Sequence, residues 1–70
     1  MMQLLASMAG NVFKVLVKAG DSVSEGEDVV ILESMKMEIP ISADSELSVL
    51  EVKVQEGDFV NEGDVVLEYE

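Results

Sequence analysis

Apolar and polar residues alternate with period two in two short stretches: Phe13, Val15 and Val17 against Lys14, Leu16 and Lys18, and Leu50, Val52 and Val54 against Glu51, Lys53 and Gln55. Alternation over so few residues is the signature of half-buried strands. Gly20-Asp21 and Gly57-Asp58 break these runs, and Gly26-Glu27 and Gly63-Asp64 make further breaks. Glycine reaches positive φ without steric cost, so these are places for tight turns. No stretch sustains the i, i+3, i+4 apolar spacing of a helix. The pattern predicts roughly seven or eight short strands, at about 2–7, 11–18, 22–24, 28–34, 37–42, 48–54, 58–60 and 64–69, in a small all-β sandwich or flattened barrel.

The two halves of the chain follow one plan. An offset of 37 residues lays Val12, Val15, Val17, Gly20, Asp21, Val23, Glu25, Gly26, Val29 and Glu33 on Val49, Val52, Val54, Gly57, Asp58, Val60, Glu62, Gly63, Val66 and Glu70. Just beyond the first copy comes Glu33-Ser34-Met35-Lys36-Met37-Glu38-Ile39. A duplicated scaffold that presents one lysine at its central bend points to a carrier whose lysine is an attachment point.

Register defines that bend. With Met35 and Lys36 as a two-residue loop, Ser34 faces Met37, Leu32 faces Ile39 and Val30 faces Ile41, while Glu33 faces Glu38. A slip of one residue would set apolar side chains against acidic ones, so the apolar pairing selects this register. Two-residue hairpin loops favour type I′ geometry, with positive φ at both central residues and Asn-Gly or Asp-Gly as the preferred sequence. Met-Lys is a poor choice for such a turn. The expected strain is on the order of 1–3 kcal/mol per residue, a kind that concentrates at functional sites. The competing reading is a solvent-exposed lysine in an ordinary loop.

Composition narrows the function. Seventy residues are read as one domain, 1–70, and a chain of this length buries only about 60% of the surface its unfolded form exposes. With no Cys and no His there are no disulfides, no usual structural zinc ligands and no nucleophilic triad with histidine. The segment Asp21-x-Val23-x-Glu25-Gly26 has the glycine of a calcium loop but valine at its third position and Leu32 where the closing glutamate belongs. Paired acids such as Glu27-Asp28 are read as solvated turn residues.

Fifteen acidic residues against four lysines give a net charge of −11, which opposes binding to nucleic acid or to an anionic membrane. The acid excess serves solubility, or steers the domain toward basic surfaces of a partner enzyme. The opening Met1-Met2-Gln3-Leu4-Leu5-Ala6 is apolar but has no basic flank and is too short for a membrane span. The expected location is cytoplasmic. An unmodified acidic β-sandwich that offers a sheet edge to partners is the alternative from a different functional class.

Over its whole length the chain resembles the biotinyl/lipoyl attachment domain family, whose biotin motif is usually E-A-M-K-M. Lys36 matches the modified lysine, Met35 and Met37 its flanking methionines, and Glu33 the acidic residue. The resemblance implies two four-stranded antiparallel sheets related by quasi-twofold symmetry, with the lysine on an exposed hairpin. It implies a carrier that is not itself an enzyme, with biotin joined covalently to Lys36 by a biotin protein ligase that reads Glu33, Ser34, Met35 and Met37. Carboxylase subunits are the implied partners, and carboxyl groups the cargo.

Two positions depart from the pattern. Ser34 replaces the usual alanine and is similar to the small hydroxyl residue of lipoyl motifs, E-T/S-D-K-A, so lipoate, attached by its own enzyme, is the alternative cofactor, and a dual acceptor is also open. Leu47 stands where the 37-residue offset from Gly10 calls for glycine. If that site needs positive φ, leucine costs roughly 1 kcal/mol or more, and the stretch Asp44 to Ser48 is then strained or rebuilt.

Overall fold

The computed structural model describes residues Met1–Glu70. Eight strands follow one another: β1 Met2–Leu5, β2 Gly10–Val15, β3 Ser22–Val23, β4 Asp28–Ser34, β5 Met37–Ser42, β6 Leu47–Val52, β7 Phe59–Val60 and β8 Val65–Tyr69. They form two four-stranded antiparallel sheets, in the orders β1-β8-β6-β3 and β5-β4-β2-β7. The 37-residue offset maps one sheet onto the other strand by strand, β2 on β6, β7 on β3 and β4 on β8, which is the quasi-twofold arrangement expected.

The core carries the same symmetry. Sixteen of its seventeen buried side chains form offset pairs: Leu4/Ile41, Ala6/Ala43, Val12/Val49, Val17/Val54, Val23/Val60, Val29/Val66, Val30/Leu67 and Leu32/Tyr69. The unpaired member is Leu47, whose counterpart is the buried Gly10. Backbone hydrogen bonds lace the halves together in equivalent places. The Gly20 N–H donates to the Val49 carbonyl and the Gly57 N–H to the Val12 carbonyl, both at 2.9 Å.

Each glycine-acid turn is built alike. In Lys18-Ala19-Gly20-Asp21 the Asp21 N–H donates back to the Lys18 carbonyl at 3.1 Å, and Gly20 takes φ 95°, the positive value that the third residue of a type II turn needs. The Asp21 carboxylate then accepts the Lys18 N–H at 2.9 Å. Glu27, Asp58 and Asp64 accept the N–H groups of Ser24, Gln55 and Asn61 in the same way, at 3.1, 2.9 and 2.8 Å. Four acidic side chains thus lock turns, a role that the solubility reading of the acid excess did not include. The backbone N–H of Lys18, aided by its ammonium group at 3.2 Å, holds the Asp21 carboxyl below its ordinary range.

Three expectations change. The long strands end earlier than predicted, β1 at Leu5, β2 at Val15 and β6 at Val52. Phe13 and Leu50 are not core residues: at 41% and 42% exposure they lie outside, while Val12 and Val49 point in. Bulges cause this. The β2–β4 register skips Phe13 between Val12 and Lys14, and the β6–β8 register skips Leu50 between Val49 and Glu51, and an inserted residue shifts the phase of the alternation. Finally, Leu47 is unstrained. It lies in β6, only 3% exposed, and is absent from the positive-φ residues. Its counterpart Gly10 has no positive φ either; a Cβ there would come within 2.9 Å of the Glu33 carbonyl oxygen. The glycine answers to a close approach in one half that the other half does not repeat.

Candidate functional site

The β4–β5 hairpin grows directly from the core. Val30, Leu32 and Ile41 are buried at its base and Ile39 is half-buried. At the far end of the pair, the Ser42 hydroxyl donates to the Asp28 carboxylate at 2.7 Å. The pairing is Val30↔Ile41, Leu32↔Ile39, Glu33↔Glu38 and Ser34↔Met37, which is the register selected by the apolar pairs in the sequence. Pro40 is tolerated because β5 is an edge strand, where its missing N–H need not enter a ladder.

At the tip, Met35 and Lys36 have φ 52° and 66°, the only non-glycine residues in the chain with positive φ. The two-residue loop closes as a type I′ turn would, with the wrong residues for comfort. Met35 is 92% exposed and Met37 63%. Lys36 is exposed too, and its ammonium group joins none of the three ion pairs, which engage Lys18 with Asp21 and Lys53 with Glu51 and Glu68. Lys14 is also free of ion pairs, but it sits within β2 beside the bulge.

The structure therefore brings Glu33, Ser34, Met35, Lys36 and Met37 into one projecting hairpin. Ser34 is half-buried at its neck, and Glu33 stands opposite Glu38, leaving two like charges side by side below the tip. The concave surfaces of the molecule lie elsewhere. One is lined by Val15, Val17, Val52 and Val54 on the pseudo-symmetry axis, the other by Ser22, Ser24, Glu46 and Glu70. No cluster of His, Cys, Asp and Glu could hold a metal ion, and no helix is long and apolar enough to cross a membrane. The hairpin offers a projecting amine nucleophile on a rigid base, suited to accepting an acyl group from another protein's active site.

Residues 2–69 match the biotin/lipoyl family model described as "Biotin-requiring enzyme". The chain belongs to the biotin/lipoyl attachment family. It is similar to the biotin/lipoyl attachment protein of Bacillus subtilis, with 64% identity over 96% of this chain and 92% of that protein. Among solved structures it resembles a single-chain, multi-domain long-chain acyl-CoA carboxylase, with TM-score 0.91 and 34% identity over 97% of this chain but only 7% of the other. It also resembles the lipoyl domain of the 2-oxoglutarate dehydrogenase complex of Azotobacter vinelandii, with TM-score 0.74 and 26% identity over 89% of this chain and 78% of that domain. Membership in this family makes the protein a carrier rather than a catalyst.

Proposed function

We propose that Lys36 is the attachment site, that its Nζ forms an amide with biotin, and that the loaded domain moves carboxyl groups between the active sites of a biotin-dependent carboxylase. The observation that carries this reading is the strained loop, in which Lys36 is held at positive φ between two exposed methionines while the other lysines lie outside any such loop. A biotin protein ligase supplies the acyl group as an acyl-adenylate. The Lys36 amine, once it has given up a proton, attacks the acyl carbon; the amide bond forms and AMP leaves. Proton removal from that amine belongs to the ligase site.

Biotin supplies a ureido nitrogen that carries the carboxyl group. This chain supplies the platform: buried Val30, Leu32 and Ile41 keep the hairpin rigid, so the loaded arm swings from a fixed point and stays at high effective concentration near its partners. Met35 and Met37 offer unbranched apolar surface that adapts to a ligase pocket, with Glu33 and Ser34 completing the surface that is read. The loading step consumes ATP, which the cytoplasm, its proposed location, supplies.

Ser34 and the likeness to a biotin/lipoyl attachment protein support lipoate as a second cofactor on the same lysine. The test is intact mass before and after incubation with a biotin ligase, ATP and biotin. Wild-type protein should gain one biotinyl group, mapped to Lys36. Lys36→Arg should gain none and keep its melting temperature, since guanidinium is too basic to act as an acyl acceptor. Attachment that persists in that variant refutes the assignment.

A further inference from the structure

We infer that Met35 and Met37 form a reversible oxidation switch on cofactor loading, an inference that rests on the reading of Lys36 as the attachment site. The chain has no cysteine and no tryptophan, so its thioethers are the groups most open to a two-electron oxidant such as hydrogen peroxide. Five methionines share that role, and the fold sorts them. None belongs to the buried core, but Met8 is half-buried and packs against it. Met1 and Met2 are exposed at the β1 end of the other sheet. Only Met35 and Met37 are both exposed and adjacent to the acceptor lysine.

The backbone enforces that exposure. Positive φ at Met35 belongs to the turn that projects the tip, and nothing buried depends on its thioether or on that of Met37. Peroxide can therefore reach both sulfurs in the folded protein. Each thioether takes one oxygen from hydrogen peroxide: the sulfur lone pair attacks, the O–O bond breaks, water leaves, and the sulfur is oxidised by two electrons while the peroxide is reduced. The product sulfoxide is polar and chiral. The change falls on the surface that the ligase reads, beside an amine that is itself untouched. Methionine sulfoxide reductases reverse it at the expense of a dithiol, which closes to a disulfide as the oxygen leaves in water.

The outcome is a domain that stays folded but is loaded slowly under oxidising conditions. The experiment treats wild type and Met35→Leu/Met37→Leu with hydrogen peroxide, removes the peroxide with catalase, and follows peptide maps, melting temperature and initial rates of biotin attachment. Met35 and Met37 should oxidise ahead of Met8 with the melting temperature unchanged. The attachment rate of oxidised wild type should fall by about tenfold or more, the scale on which apolar pockets discriminate. The leucine variant should load at the same rate with or without peroxide, and both sulfoxide reductases together should restore wild type.

A second variant, Met35→Gln/Met37→Gln, presents polar side chains at both places and should load slowly without any oxidant. Undiminished loading of oxidised wild type, or of the glutamine variant, overturns the inference; so does an equal loss in the peroxide-treated leucine variant, which would place the effect on Met1, Met2 or Met8. If untreated wild type accepts no biotin at Lys36, the attachment reading itself fails, and that result is visible before any peroxide is added.

Discussion

Replacing Met35-Lys36 with Asn-Gly should stabilise the domain while abolishing attachment. The native residues hold φ at 52° and 66°, and the left-handed region costs an ordinary residue roughly 1–2 kcal/mol, so the loop stores about 2–4 kcal/mol. Asparagine tolerates this region and glycine enters it freely. Against the gain stands the extra freedom that glycine gives the unfolded chain, about 1 kcal/mol. Little else is lost, because Met35 lies in solvent and Lys36 makes no ion pair. The net gain is about 1–3 kcal/mol, which for a domain this small raises the melting temperature on the order of 7–20 °C. Thermal unfolding measures it, and urea titration with an unchanged slope shows that the native state stays as compact. A melting temperature at or below that of wild type would refute the claim that the carrier loop is strained for the sake of its lysine.

Leu47→Gly should destabilise by about 3–5 kcal/mol, since it empties a buried leucine site and adds glycine's backbone freedom; a change below about 1 kcal/mol would mean the site needs no side chain. Asp21→Asn should flatten the acid limb of the stability profile. With its folded value lowered, Asp21 contributes fully where the unfolded carboxylate is ionised, and that contribution disappears as pH falls through the folded value; urea midpoints across the acid range that match wild type would rule it out. Met35→Asp with Met37→Ala converts E-S-M-K-M to E-S-D-K-A. It should move loading from biotin toward lipoate, because specificity gains from a new repulsive contact, and unchanged relative rates of the two attachments would make the methionines packing residues instead.

The hairpin was legible because period-two chemistry leaves one register in which Leu32 meets Ile39 and Val30 meets Ile41, and the structure adopts that register. The two-sheet architecture was legible through the repeat and the family resemblance. Phe13 and Leu50 were misread because a bulge hides in sequence when the inserted residue is itself apolar; the alternation then reads as unbroken while its phase has shifted. The turn-locking role of the acids was illegible for a different reason. A carboxylate that accepts an N–H three residues back uses the same residue types, in the same glycine-rich places, as one that merely keeps the surface charged.

The repeat also works as an internal comparison. Eight core pairs show what the fold asks of both halves, so the place where the halves disagree inside the core calls for a local cause. That place is Gly10 against Leu47. The scaffold accepts a full leucine side chain at this point in β6, so the glycine in β2 is not a demand of the sheet. It is a demand of Glu33, whose carbonyl oxygen leaves no room for a Cβ. Asn11 pairs with Glu33, and Glu33 pairs with Glu38, only two residues on either side of the Met35-Lys36 loop. The tight approach of β2 to β4 thus lies directly beneath the hairpin that projects Lys36. Burial at Leu32 and close backbone packing of Gly10 on Glu33 act on neighbouring residues of β4, and together they fix the neck from which a strained tip projects.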